Sequence, residues 1–314
     1  MASRKPASSA PMMRNSQLQG YSISGRSGAM MTDPTNPAEH DGPRDPDSVI
    51  FLRSPRAQPC PLLWRSAPSV VLGAEGWEDQ IRAEPDRMLV AWGGDGTLQA
   101  AARLERPCAL VAAGTGNDVA ADLGLPRGVA AGLQSLAESA RWCALPMSKI
   151  TVVCGEEHRV HPMVNAVSMG LGGAAAAKLG PFRRFGPLAY PLAAVRALAS
   201  TRRFGCQGEF VRHVVVARGG RHGGGVRIGP RGARWSEELR MGRWTNWSDL
   251  LRGAVGLLFG RTVFSTRPFL GGEIVFDRRV PIEIDGEPMQ ADRVKVQALS
   301  PPLLLRVPHR SGPS

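Results

Sequence analysis

The 314-residue chain has no run of 18 or more apolar residues, which excludes an ordinary membrane-spanning helix. Its first residues contain no continuous apolar segment, which argues against a secretory signal. Cysteine is sparse and unpatterned: Cys60, Cys108, Cys143, Cys154 and Cys206 make no Cys-x-x-Cys pair, and the six histidines complete no zinc spacing with them. Such a set reads as free thiols in a reducing cytoplasm. Patterns of the RRM, zinc-finger and basic-zipper kinds are missing, and no internal repeat is present.

What the chain does have is positive charge, 39 Lys and Arg against 27 Asp and Glu, a formal net charge of +12. Nucleic acid, an anionic membrane surface and an anionic substrate are the partners this admits, beside a merely solvated basic surface. With no nucleic-acid motif, the first of these is the weakest.

Residues 1 to about 47 contain six prolines, much Ser, Asn and Gly, and little aliphatic periodicity. They read as a disordered tail, within which Met30 or Met31 is a candidate translation start. From Ser48 the texture changes. Apolar runs at 48–52, 69–73, 87–92 and 108–113 predict strands, and 76–84, 97–105 and 118–125 predict helices. The last of these helices is closed by Gly124, with Pro126 just beyond. Alternating strands and helices predict an α/β domain with a doubly wound parallel sheet over 48–145, completed by 300–310. Residues 146–299 read as short strands between turns, a mainly β second domain, with helical stretches at 185–200 and 248–259.

Two successive strand–turn–helix units carry the turns Gly93-Gly94-Asp95-Gly96 and Gly114-Thr115-Gly116-Asn117. Neither is Gly-x-Gly-x-x-Gly, and neither ends in the Gly-Lys-Ser/Thr of a Walker loop. Glycines still let backbone approach a ligand, and the helix that follows presents free N–H groups to an anion. Loops on adjacent parallel strands open on one sheet edge, so the two turns predict one phosphate cradle. Asp95 would repel a bare phosphate, and a divalent cation removes that conflict. Mg²⁺ takes carboxylate and phosphate oxygens together, so Asp95 points to a metal-bound nucleoside triphosphate. The structural alternative is that Asp95 caps its own helix at Thr97.

The stretches VAWGGDGTLQAAA and GTGNDVAADLGLP together resemble the diacylglycerol kinase catalytic domain, especially its bacterial lipid-kinase branch, a fold shared more distantly with sphingosine kinases and NAD kinases. MVNAVSMGLGG (163–173), RRFGPLAYPLAAVRALAS (183–200), GGGVRIGP (223–230) and IDGEPM (284–289) extend the resemblance over about residues 48 to 310. It implies a two-domain lipid-kinase/NAD-kinase-like fold that transfers the ATP γ-phosphoryl group to a lipid hydroxyl with Mg²⁺, in phospholipid biosynthesis. Carried over by position, Gly93, Gly94, Asp95, Gly96, Thr97, Gly114, Thr115, Gly116 and Asn117 bind ATP. Glu287 corresponds to the proton acceptor, with Asp285 in the same turn. Taken alone, Asp-Gly-Glu is equally a plain hairpin turn.

Three departures stand out. The family's Asn-Pro-x-Ser-Gly loop after the first strand is RSPRA (53–57) here. The asparagine expected before the triple-glycine turn is replaced around Arg218 and Gly219. The acidic turn associated with a second Mg²⁺ is SEEL (236–239), in which Glu237 is the remaining candidate ligand. The apolar segment 185–200, flanked by Arg183 and Arg184, suits either a core helix or a membrane-resident acceptor. The partner set is therefore ATP, a lipid acceptor and an anionic membrane surface met peripherally from the cytoplasm, without nucleic acid, and with a homodimer as the oligomeric option. Alternatives on the same scaffold are an NAD kinase-like or small-alcohol kinase and a degenerate nucleotide-binding regulatory module.

Overall fold

The computed structural model describes residues 45–114, 116–138, 140–229, 238–258, 261–262 and 264–308. The expected N-terminal tail, Thr115 and Glu237 lie outside these residues.

Strands β1 (Val49–Arg53), β2 (Ser69–Val71), β3 (Met88–Gly93) and β4 (Cys108–Ala112) are parallel, in the order β2-β1-β3-β4. Between and after them lie α1 (Trp77–Arg82), α2 (Asp95–Ala102), α3 (Asp118–Leu123) and α4 (Val129–Ala137). Side chains alternate across the sheet, and both faces are covered. Ile50, Leu52, Leu89 and Ala91 pack with Leu98 of α2 and Val119 of α3. Phe51, Val90 and Trp92 face the other way, toward Leu133 and Leu136 of α4. A doubly covered strand has no solvent face to keep polar, which is why these segments read as continuous apolar runs. The α3 helix ends at Gly124 in the left-handed conformation (φ 69°), as the Gly–Pro signal predicts.

The rest of the chain comprises β5 (Ala140–Cys154), β6 (Glu157–Met163), β7 (Ala166–Gly170), α5 (Leu171–Ala177), α6 (Ala189–Leu198), β8 (Phe204–Cys206), β9 (Glu209–Val211), β10 (His213–Ala217), β11 (Arg221–His222), β12 (Val226–Arg227), β13 (Leu239–Trp244), α7 (Trp247–Leu258), β14 (Thr266–Phe269), β15 (Gly272–Ile284) and β16 (Glu287–Pro308). The order β14-β13-β10-β7-β15-β16 is antiparallel and continues into the parallel part, because the end of β16 runs parallel to β4. β5 pairs with β16 along most of its length, and the expected boundary near residue 145 falls inside it. The molecule is thus an α/β fold, a doubly wound parallel half joined to a mainly β half. No helix among the described residues is long and apolar enough to cross a membrane.

Three local features differ from the sequence expectation. α2 starts at Asp95, so the turn's carboxylate already belongs to the helix. The stretch read as strand and turn at 163–173 continues into a buried helix, α5, whose Gly173 lies against the backbone of Ile282. The segment 185–200 is divided: a 3-10 turn covers Gly180–Leu188, Gly186 breaks it with φ 57°, and α6 follows.

Candidate active site

The two glycine turns touch. The Asp95 N–H donates to Gly116 O at 3.3 Å, linking the first turn to the second. A Cβ on Gly114 would lie 2.5 Å from Gly94 N, so the second turn can approach the first only with glycine there. The third motif joins them: a Cβ on Gly96 would stand 3.3 Å from Asp285 O. Thus the turns after β3 and β4 and the β15–β16 hairpin converge at one end of the parallel strands. The RSPRA loop is beside them, with Ser54 N donating to Trp92 O at 3.0 Å and Ser54 Cβ near Gly93. Thr97 closes the other side of Gly93.

Asp95 is neither free nor a cap for its own helix. Its Oδ2 accepts from Asp118 N–H at 3.0 Å and its Oδ1 from Val119 N–H at 3.1 Å. It therefore fills the N-terminus of α3, where Asn117 makes no side-chain cap bond. The N–H groups expected to face a ligand at α3 are already taken by this carboxylate. The capping role expected at Thr97 is corrected accordingly: the bond runs across to the neighbouring unit. Asn117 instead ties its own turn, donating Nδ2 to Gly114 O at 2.8 Å, and its Oδ1 is buried without a partner.

The acidic groups of this region crowd one another. Burial pushes Asp95 well above the usual carboxylate range, and the negative charges of Asp118 and Asp285 push the same way against the two N–H bonds. Burial likewise raises Asp118, whose Oδ2 accepts from Gly224 N–H at 3.0 Å. Asp285 adopts a left-handed φ of 49° in the hairpin. Its carboxylate accepts N–H bonds from Val164, Asn165 and Ala166 at 2.6, 2.8 and 2.8 Å. Burial still outweighs those three bonds and lifts it to about 7.

Glu287, two residues on in the hairpin, is exposed and pairs with Arg103, the residue after α2, at 3.1 Å. His161 of β6 lies beside them with neither ring nitrogen bonded. Its pKa is drawn down chiefly by burial, while Glu287 pulls it up. Deeper in, Glu283 is fully buried, accepts from Gly286 N–H at 2.7 Å and pairs with His222. Burial alone would lower His222, but the Glu283 charge and hydrogen bond reverse that and raise it to about 9.

His161, Asp118, Asp122, His222 and Glu283 were not singled out from sequence. The signals were small: the last letter of GTGND, the histidine of GGRHGGG, and an acid two residues before Asp-Gly-Glu. Asp122 ties the glycine-rich segment, accepting from Gly220 N–H at 2.6 Å and Arg221 N–H at 3.1 Å. Where the resemblance calls for asparagine, Gly219 is pressed against Asp122 and Asn165, leaving no room for a side chain. Arg218 turns inward, donating Nη2 to Met147 O at 3.1 Å.

Converging glycine turns beside an exposed carboxylate, at the open edge of a parallel sheet, are the architecture of a phosphate-handling enzyme. The chain resembles the diacylglycerol kinase catalytic-domain family: residues 73–143 match the model described as the diacylglycerol kinase catalytic domain. The matched segment contains both glycine turns. Two solved structures from Bacillus anthracis str. Sterne share the fold. One, described as a diacylglycerol kinase, has a TM-score of 0.58 at 16% identity and covers 82% of this chain and 96% of its own. Another, so named only provisionally, has a TM-score of 0.59 at 15% identity and covers 82% and 97%. No curated protein matches the chain.

Proposed function

We propose that the protein is an ATP-dependent lipid kinase that moves the γ-phosphoryl group onto a lipid hydroxyl at an anionic membrane surface. The observation that carries this is the contact of the two glycine turns with each other and with the Asp285–Glu287 hairpin. Gly93, Gly94, Gly96, Gly114 and Gly116 supply side-chain-free backbone along which a triphosphate is held, with Thr97 and Asn117 beside it; Thr115, outside the described residues, belongs to the same set by sequence. Asp95 locks the two turns into one cradle through α3. Asp285, tied to three backbone N–H groups, anchors the hairpin from which Glu287 would meet the acceptor hydroxyl. In the transfer, the acceptor oxygen forms a bond to the γ-phosphorus, the bond from that phosphorus to the β,γ-bridging oxygen breaks, and ADP leaves. The acceptor's proton passes to Glu287 as the new bond forms. Arg103 holds the Glu287 side chain in place through their 3.1 Å ion pair.

Among the described residues no three acidic, His or Cys side chains make an all-protein metal site. The donor set suits a cation that arrives with the nucleotide: hard carboxylate oxygens, crowded enough to hold protons above their usual range, beside a phosphate cradle. Mg²⁺ bound with the nucleotide would neutralise phosphate charge there, and Asp95 is the residue that would hold it.

The test is transfer of label from γ-labelled ATP, with Mg²⁺, into a mixed lipid extract, set beside NAD as competing acceptor. Label in lipid that disappears in Glu287→Gln, with melting temperature unchanged, is the expected result. Label in NADP would replace the lipid reading with an NAD-kinase one. ATP binding without any transfer would make the protein a nucleotide-binding module.

A further inference from the structure

A surface helix ordinarily buries its large apolar side chains and turns small or polar ones outward. Two helices here do the opposite. α6 buries Ala193 and Ala197 against Ala174 and Ala175 of α5, and Ala189 is buried too. Leu192 and Val195 face out, with Val195 67% exposed, and Leu188, just before the helix, is 63% exposed. Among the described side chains of α7, the buried positions are Gly253, against Trp244, and Gly256, against Thr262. Its outward positions are Trp247, Leu251 and Val255, with Leu251 67% exposed. Large apolar groups on the water side of two helices have no role in the core and mark a surface that is covered in use.

The two helices flank the same ground. Trp244 packs on the α5–α6 cluster and also lies beneath Gly253 of α7. Arg212 stacks over the Trp247 ring at 4.4 Å and donates Nη1 to Thr201 O, just past α6, at 3.3 Å. Charge selects the occupant. From Lys178 to Arg212 there are seven basic side chains and one acid, Glu209. In α7 the one acid, Asp249, is turned back onto Thr245 and Asn246. A second copy of the chain would bring the same positive charge to this face, whereas an anionic bilayer offers both apolar depth and lipid phosphate.

We propose that α6 and α7 are the face by which the protein docks on an anionic lipid bilayer, their outward apolar side chains entering the headgroup–acyl boundary and the surrounding arginines meeting lipid phosphate. This rests on the lipid-kinase reading and adds where the bilayer sits. It also connects that surface to the site. Tyr190, between Leu188 and Leu192, points inward from the same helix, donating its hydroxyl to Gly172 O at 3.1 Å with its ring beside His222.

The test uses the full chain, vesicles of phosphatidylcholine with and without phosphatidylglycerol, and the variant Leu192→Gln/Val195→Gln/Leu251→Gln/Val255→Gln. These positions are exposed, so the variant keeps the wild-type melting temperature, which is checked first. The wild type sediments with the anionic vesicles, and the variant binds them more weakly by roughly tenfold or more. Phosphorylation of a short-chain, water-soluble diacylglycerol is measured beside it and stays unchanged in the variant. The proposal is overturned if the wild type ignores anionic vesicles or if the variant binds them equally well. It is also overturned if light scattering shows a wild-type dimer that the variant dissolves, which would give the face to a second copy. If the wild type phosphorylates no diacylglycerol yet loses vesicle binding in the variant, the docking face stands and the kinase reading falls.

Discussion

Replacing Gly114 by alanine tests whether the two turns act as one cradle. A Cβ there would lie 2.5 Å from Gly94 N and 2.6 Å from Gly94 Cα. Unstrained carbon contacts sit near ~3.5–4.0 Å, so the turns have to separate by roughly 1 Å. The obstructing atoms are backbone, held by the β3–β4 ladder from Leu89 and Cys108 to Gly93 and Ala112, so no side chain can swing aside. Overpacking of this kind costs about 1–3 kcal/mol. For a domain of this size that lowers the melting temperature by roughly 2–10 °C. A 1 Å displacement of a positioned group lowers transfer by about 100-fold. Gly116→Ala is the matched control: nothing lies within 4 Å of its Cβ position and its φ is not positive, so its melting temperature stays at the wild-type value. Thermal melting and ATP titration of both variants decide the matter. If Gly114→Ala melts with the wild type, the steric account is wrong. If it melts early but binds ATP as tightly, the two turns do not share a ligand. A Gly116→Ala protein that is stable but loses ATP would place the nucleotide in the open space beside that residue.

Other outcomes follow from single contacts. His222 has a folded pKa of about 9 against an ordinary 6.5, a raised base whose stabilisation is complete below the lower value and lost as pH climbs through the higher. Its size is on the order of 3 kcal/mol, so urea unfolding at pH 7.5 and pH 9.5 should show a decline in the wild type that His222→Gln lacks; parallel pH profiles would refute the pairing with Glu283. In Gly173→Ala the new Cβ would be 2.5 Å from the backbone of Ile282, forcing α5 away from β15 at a cost of about 1–3 kcal/mol, read as a lower urea midpoint with unchanged slope. The half-exposed pair it forms with Glu287 makes Arg103→Ala nearly neutral for stability, within about 1 kcal/mol, while transfer falls because Glu287 loses its tether; an unaltered kcat would show that the tether is idle.

Much of the parallel half was legible in the sequence because each of its signals is local. Strands buried on both faces must be apolar throughout, and a helix that ends in Gly and Pro announces its own boundary, so β1, β3, β4 and α3 lie within a residue or two of expectation. α5 was hidden for the opposite reason. LGGAAAA carries two glycines, which weaken any helix signal, and only packing explains them: Gly173 lies on the β15 backbone and Gly172 against Ser168 and His213. At the site, the glycines and acids were visible but their connections were not. Asp95 looked like a metal-facing group, and nothing local says that its oxygens reach N–H groups 23 and 24 residues downstream. Nor does the Asp-Gly-Glu motif reveal that Asp285 serves backbone at 164–166 while Glu287 pairs with a helix of the other half.

The long pairing of β5 with β16 has a mechanical consequence. Leu299 stands opposite Met147 and Leu303 opposite Leu145, so three residues of β16 face one residue of β5 at this point, and two of the three are prolines. Either side of it the two strands are in regular register, which makes each flanking stretch a stiff ribbon. Glu287 begins the same strand whose far end lies beside β4. A movement that brings Glu287 closer to a loaded cradle therefore cannot swing on a floppy tether. The three-residue step at Ser300–Pro302 is where the two ribbons join, so a load on one end of β16 reaches the other through that irregular step.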